Sequence, residues 1–148
     1  MNSAHIVLRV VTKLLFAPIL VFALYVQFHG DYGPGGGFQA GVLFAVAFVL
    51  YALVFGLEET QKALPPVAAK IGMAAGVLLY ALVGVYTLIA GANYLDYDII
   101  VPDSDHHAGQ HYGILLVELG VGIAVACTVL TIFYAFAGRE PEIDEEDW

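Results

Sequence analysis

Cysteine is nearly absent: Cys127 is the only one in 148 residues, which excludes an intrachain disulfide and a thiolate cluster for zinc or iron–sulfur. Positive charge is also scarce. Five Lys/Arg stand against fourteen Asp/Glu, a net charge of −9, and a chain so poor in cations offers no basic face to nucleic acid. Charged residues of both signs make up 13% of the chain, about half the ~25% of an ordinary soluble domain. No nucleophile–base constellation, no phosphate loop in a usable setting and no cofactor-attachment motif is present, so the sequence predicts neither an enzyme nor a bound cofactor or metal. What is abundant is apolar surface: 60% of the residues are hydrophobic and mean hydropathy is +0.81. At this length one domain is expected, and its core must be shared with lipid or with other subunits. The composition is that of a small membrane protein.

A hydrocarbon core of about 30 Å needs roughly 20 apolar residues in a helix. Four such runs occur, predicting an all-α, four-span membrane domain over 1–138, with spans near 6–28, 38–57, 67–90 and 113–137 and an acidic tail over 139–148. Arg9 and Lys13 interrupt the first run one helical turn apart, close enough to one end for their stems to snorkel to the headgroups. A cleaved signal peptide is the competing reading of that run. The apolar stretch 14–26 is long for one, and no small-x-small site precedes Gln27. All five cations, Arg9, Lys13, Lys62, Lys70 and Arg139, fall on one side of a four-span arrangement, so the positive-inside rule predicts cytoplasmic N- and C-termini. Tyr25, Phe28, Tyr32, Tyr94, Tyr97 and Tyr112 then belong to an outer aromatic belt, and Tyr51, Phe55 and Tyr134 to an inner one. The tail, with six carboxylates in ten residues, reads as solvated, with docking onto a basic partner as the alternative.

The segment 29–41 carries six glycines and a proline in thirteen residues. Gly35, Gly37 and Ala40 mimic a dinucleotide fingerprint, but that motif needs a preceding strand in a βαβ unit, and here it would lie between two spans. Three readings remain: a compact outer turn whose glycines, Gly33, Gly37 and Gly41, let the second span pack closely; a broken entry in which His29 or Asp31 lines a water-filled path; or a cation site completed by a partner's oxygens.

The run His29-Gly30, then Pro34-Gly35-Gly36-Gly37-Phe38-Gln39 and Gly41, between the first two of four spans, resembles the MnhB/MrpB-type subunits of the multisubunit Mrp/Mnh cation/proton antiporters. Chain size, span number and the long loop before the fourth span extend the resemblance over nearly the whole chain. It implies an accessory subunit of a hetero-oligomeric complex in a prokaryotic cell membrane, exchanging Na+ for H+, with large partner subunits carrying the main pumping residues. The equivalent subunit of a respiratory or hydrogenase-linked ion-pumping module is the alternative that the same resemblance leaves open. A purely structural scaffold and a small self-sufficient channel are rivals of other classes, the channel disfavoured by the scarcity of polar residues within the spans.

Glu118 is the one carboxylate inside the predicted spans, where an ionisable group costs about 2.5–3.5 kcal/mol on insertion scales. His111 lies seven positions earlier, two helical turns away on about the same face, so the pair could step a proton inward. Burial would raise the carboxylate's proton affinity. The competing reading is a hydrogen bond from Glu118 to a neighbouring subunit that fixes helix register. The loop 91–112 holds Asp96, Asp98, Asp103, Asp105, His106, His107 and His111 without a cation, which suits a solvated loop, an ion-concentrating mouth or a two-histidine metal fragment at His107 and His111. Gly72, Gly76 and Gly84 in the third span, and Gly109 with Gly113 before the fourth, are expected to admit another helix closely.

Overall fold

The computed structural model describes residues 3–30, 33–101 and 106–139, apart from the side chains of 3, 4, 106 and 107. Five α-helices form among the described residues: α1 Ser3–His29, α2 Gly37–Phe55, α3 Leu57–Ala63, α4 Pro66–Ile89 and α5 His106–Ala137, with one 3-10 turn at Tyr97–Ile100. Four of them are long and apolar enough to cross a bilayer, over His5–His29, Gly37–Phe55, Pro66–Ile89 and Ala108–Ala137. The protein is an all-α, four-span membrane protein. Asp31, Tyr32, Asp103, Asp105 and residues 140–148 of the acidic tail lie outside the described residues.

Two elements depart from the sequence expectation. The short helix α3 fills part of the link between the second and third spans. It follows Gly56, whose φ of +100° suits only glycine, and Thr60 Oγ1 donates back to the Gly56 carbonyl at 3.1 Å. Glu58 and Glu59 open this turn and Lys62 closes it, the order that complements a helix dipole. Ion pairs at 2.7 Å to Glu59 and 3.3 Å to Glu58 hold the Lys62 ammonium above the usual lysine range. The second departure is the start of α5 at His106 rather than near 113. Residues 106–112 are too polar for a hydropathy run, but nothing in them breaks a helix.

The helix α5 is the hub. Both α4 and α2 pack along it, whereas α1 packs on α2 and barely reaches α5. The contacts are built on small side chains: Ala45, Ala47 and Ala69 are wholly enclosed, and Leu130 is the largest enclosed apolar residue. This is how helices associate where lipid removes the hydrophobic drive between them. Leu14, Val21 and Phe22 on α1, and Ile71, Leu78 and Leu82 on α4, face outward and are left to lipid or other subunits.

The cations gather at one end. Arg9 and Lys13 do not simply snorkel: each stands 5.4 Å from the ring centroid of Phe55 at the end of α2, a cation–π arrangement. Tyr51 stacks on the same ring at 4.5 Å. Tyr134 is not part of a lipid-facing belt. It is buried, because its hydroxyl donates at 3.0 Å to the carbonyl of Leu64 in the link between α3 and α4. Tyr134→Phe is therefore expected to lower the unfolding free energy by about 1 kcal/mol, the net worth of one such bond, measurable by thermal unfolding of the protein in detergent.

Candidate functional site

The opposite end is organised by backbone folding back on itself. After α1 the chain turns at Gly30, and the Gly36 N–H donates to the Val26 carbonyl at 3.2 Å. A Cβ at Gly35 would stand 2.8 Å from that carbonyl and 3.1 Å from the Gly30 nitrogen. Gly36 has φ +124° and directly precedes α2, so this joint needs glycine both for space and for conformation.

The turn closes around Glu118. A Cβ placed on Gly30 would lie 2.6 Å from Glu118 Oε2 and 2.7 Å from Oε1, and one on Gly36 would lie 3.1 Å from Oε1. The first residue of α2, Gly37, has no room for a side chain against the Glu118 carbonyl. One turn along, a Cβ on Gly41 would stand 2.6 Å from the Gly122 carbonyl. Two glycines a turn apart thus bring α2 down on α5, and the same close approach seats the half-buried Glu118 carboxylate against the loop. The lone carboxylate of the spans and the glycine run, 88 positions apart from Gly30 to Glu118, form one structure.

Other residues of the run point elsewhere. Pro34, Phe38 and Gln39 are exposed and, with Val26, Val42 and Leu43, border a shallow depression of about 380 Å³. Gly33 does not join the stripe of Gly37 and Gly41; a Cβ there would meet the His29 ring, 3.0 Å from Nε2. His29 itself stacks on Tyr25, with centroids 5.1 Å apart. His111 is half-buried on α5 with its ring edge-on to Tyr112 at 5.5 Å. Seven residues of helix separate it from Glu118 by about 10 Å of rise. The Asp31 position lies outside the described residues, as does the His107 side chain.

The small-residue faces divide in the same manner. Gly72 and Gly76 face α5, with added Cβ atoms 2.5 Å from Cys127 Sγ and 2.5 Å from the Ala124 nitrogen. Gly84 takes no helix, since the Tyr94 ring lies against it. Thr87 supports that loop: its hydroxyl donates to the Gly84 carbonyl at 2.9 Å and accepts from the Leu95 N–H at 2.9 Å. At Gly109 and Gly113 the occupant is Tyr97, by its carbonyl and its ring respectively. Burial, then the phenols of Tyr80 and Tyr94, push the Tyr97 hydroxyl above the ordinary tyrosine range. Gln110 donates to Asp98 Oδ1 at 2.9 Å beside it. The loop before α5 is thus pinned onto the helix rather than leaving that face for a neighbour.

Sequence reasoning did not single out Gln27. It is 5% exposed, and Nε2 has no hydrogen-bond partner among the described residues. The only signal in the sequence was an amide one position from the end of an apolar run, which reads as an ordinary headgroup-level residue.

Residues 7–131 match the family described as a domain related to the MnhB subunit of Na+/H+ antiporter. A protein named as antiporter subunit mnhB2 in Staphylococcus aureus (strain MRSA252) is 33% identical over 142 residues, covering 93% of this chain and 98% of the relative. Its counterpart in Staphylococcus aureus (strain Newman) is 34% identical over 143 residues with the same coverage.

Proposed function

The chain belongs to the family of domains related to the MnhB subunit of Na+/H+ antiporters, and from that premise we propose that it is an accessory membrane subunit of a multisubunit cation/proton antiporter. Its work on this reading is transport rather than bond-making. Association with other subunits follows from the family, and the outward faces of α1 and α4, with exposed Phe38 and Gln39 at the glycine turn, supply surface for it. The cluster of cations at one end supports cytoplasmic termini, with the glycine turn on the outer side.

The observation that carries a direct part in ion movement is the seat of Glu118. Nothing but backbone can occupy Gly30 and Gly36 beside it, so the carboxylate is held at the border of the span and the loop, where it can exchange a proton or meet a cation from the outer side. His111, two turns closer to that end, stands as the preceding station, and His29 closes α1 beside the loop; Asp31, the other candidate of that segment, lies outside the described residues. A carboxylate inside a membrane is costly unless it is partnered or protonated, and alternation between those two conditions is what exchange requires.

The reading is tested with everted vesicles carrying the complete complex, the complex without this chain, and the complex with the chain supplied again. Na+-dependent proton movement is expected to fall to background without the chain and to return with it, while an affinity tag on the chain retrieves the other subunits. Undiminished exchange without the chain, or a chain that retrieves no partner, would overturn it.

A further inference from the structure

A recess of about 220 Å³ opens between α1 and α5 at the glycine-turn end. Its floor is α2, at Ala40 and Phe44, and its apolar walls include Ala23 on α1 and Ala126 on α5. It exists because α1 packs on α2 without closing against α5. The mouth is lateral: Leu24 at 50% and Leu119 at 38% exposure stand on its two sides. At about 1.5 Å of rise per residue, the α5 wall from Leu119 to Cys127 extends some 12 Å along the helix axis.

Among the described residues, the one amide lining it is Gln27. Its Oε1 is turned to α5, 2.6 Å from where a Cβ on Gly122 would stand, which leaves Nε2 as the donor without a partner. Buried donors are almost always satisfied, so an occupant with an acceptor belongs here. A water is a poor candidate because it needs two to four polar partners. A helix, about 10–12 Å across, is too wide for the recess. Depth selects the remainder. Gln27 lies two residues, about 3 Å, from the last residue of α1, at the border between hydrocarbon and headgroups, and the recess deeper in is lined by apolar side chains and the Cys127 thiol.

We propose that this recess binds one ester-linked acyl chain of a membrane glycerolipid, with the chain along the apolar wall and its ester carbonyl accepting a hydrogen bond from Gln27 Nε2. The recess borders the Glu118 seat, with Leu119 and Gly122 of α5 on its wall, but the proposed hydrogen bond does not use that carboxylate.

The proposal is tested by retention of lipid on the purified complete complex, using a diester phosphatidylglycerol and the diether analogue with the same headgroup and chain length. The diether lacks only the carbonyl acceptors. Native mass spectrometry of the unaltered complex is expected to show the diester retained a few-fold to about tenfold more tightly, the factor one hydrogen bond provides. Gln27→Leu should erase that preference, and Leu24→Trp, which narrows the mouth, should lower retention of both lipids. Equal retention of the two lipids by the unaltered complex overturns the proposal without any variant having to fold. So does efficient cross-linking of the Leu119→Cys variant to another subunit through that position, because a protein segment would then fill the recess.

Discussion

Glu118→Gln is expected to lower Na+-dependent proton movement by about tenfold or more, the effect of raising one step by about 1.4 kcal/mol, in complexes that still assemble on a native gel. Glutamine keeps the shape that fits between Gly30 and Gly36 and removes only the ability to ionise. If Glu118 served only as a register-fixing contact, the amide would keep a hydrogen bond and exchange would survive. Gly30→Ala provides the complementary test. It keeps the carboxylate but places a methyl 2.6 Å from Oε2, so the Glu118 carboxylate must shift from its present position. Loss of exchange in both variants ties function to a carboxylate in that position; full activity in Glu118→Gln removes Glu118 from the ion route and leaves a scaffold.

The largest effect on the fold itself is expected at the crossing of α4 and α5. A Cβ on Gly76 would stand 2.5 Å from the Ala124 nitrogen and 2.6 Å from the Gly120 carbonyl, and one on Gly120 would stand 2.8 Å from the Gly76 carbonyl. These neighbours are backbone and cannot rotate away. Gly76→Leu must separate the two helices, so its cost should exceed the ~1–3 kcal/mol of ordinary overpacking, and we expect loss of monodisperse protein in detergent. Gly56→Ala isolates the other reason for glycine. Nothing lies within 4 Å of a Cβ there, yet φ is +100°, so only backbone strain of about 1–3 kcal/mol applies. A stable, monodisperse Gly76→Leu protein would show that the crossing is looser than described.

Much of this architecture is legible in the sequence because bilayer thickness and backbone hydrogen bonding leave few options: an apolar run of sufficient length has to be a helix. Periodic hydropathy cannot show which helix meets which. Glu118 is conspicuous as a lone carboxylate, and the glycine run is conspicuous as a turn, but their union is a tertiary fact. Gly84 and Gly113 illustrate the same limit. A glycine announces that something comes close without saying whether it is a helix or, as at both positions, a tyrosine ring. Tyr134 is misread for a related reason, since an aromatic near a span end fits a lipid belt until the Leu64 carbonyl is seen to claim its hydroxyl. Gln27 escapes notice because solvated and stranded amides look alike in a sequence.

The central position of α5 has a consequence in time. Among the described spans it is the last to leave the ribosome, and it is also the one on which α2 and α4 pack. Until it enters the bilayer, α2 and α4 have laid no common core, and the glycine turn encloses no carboxylate. Completion of the fold is thus deferred to the final described span, and the one carboxylate of the described spans arrives only when the backbone that receives it is already in place.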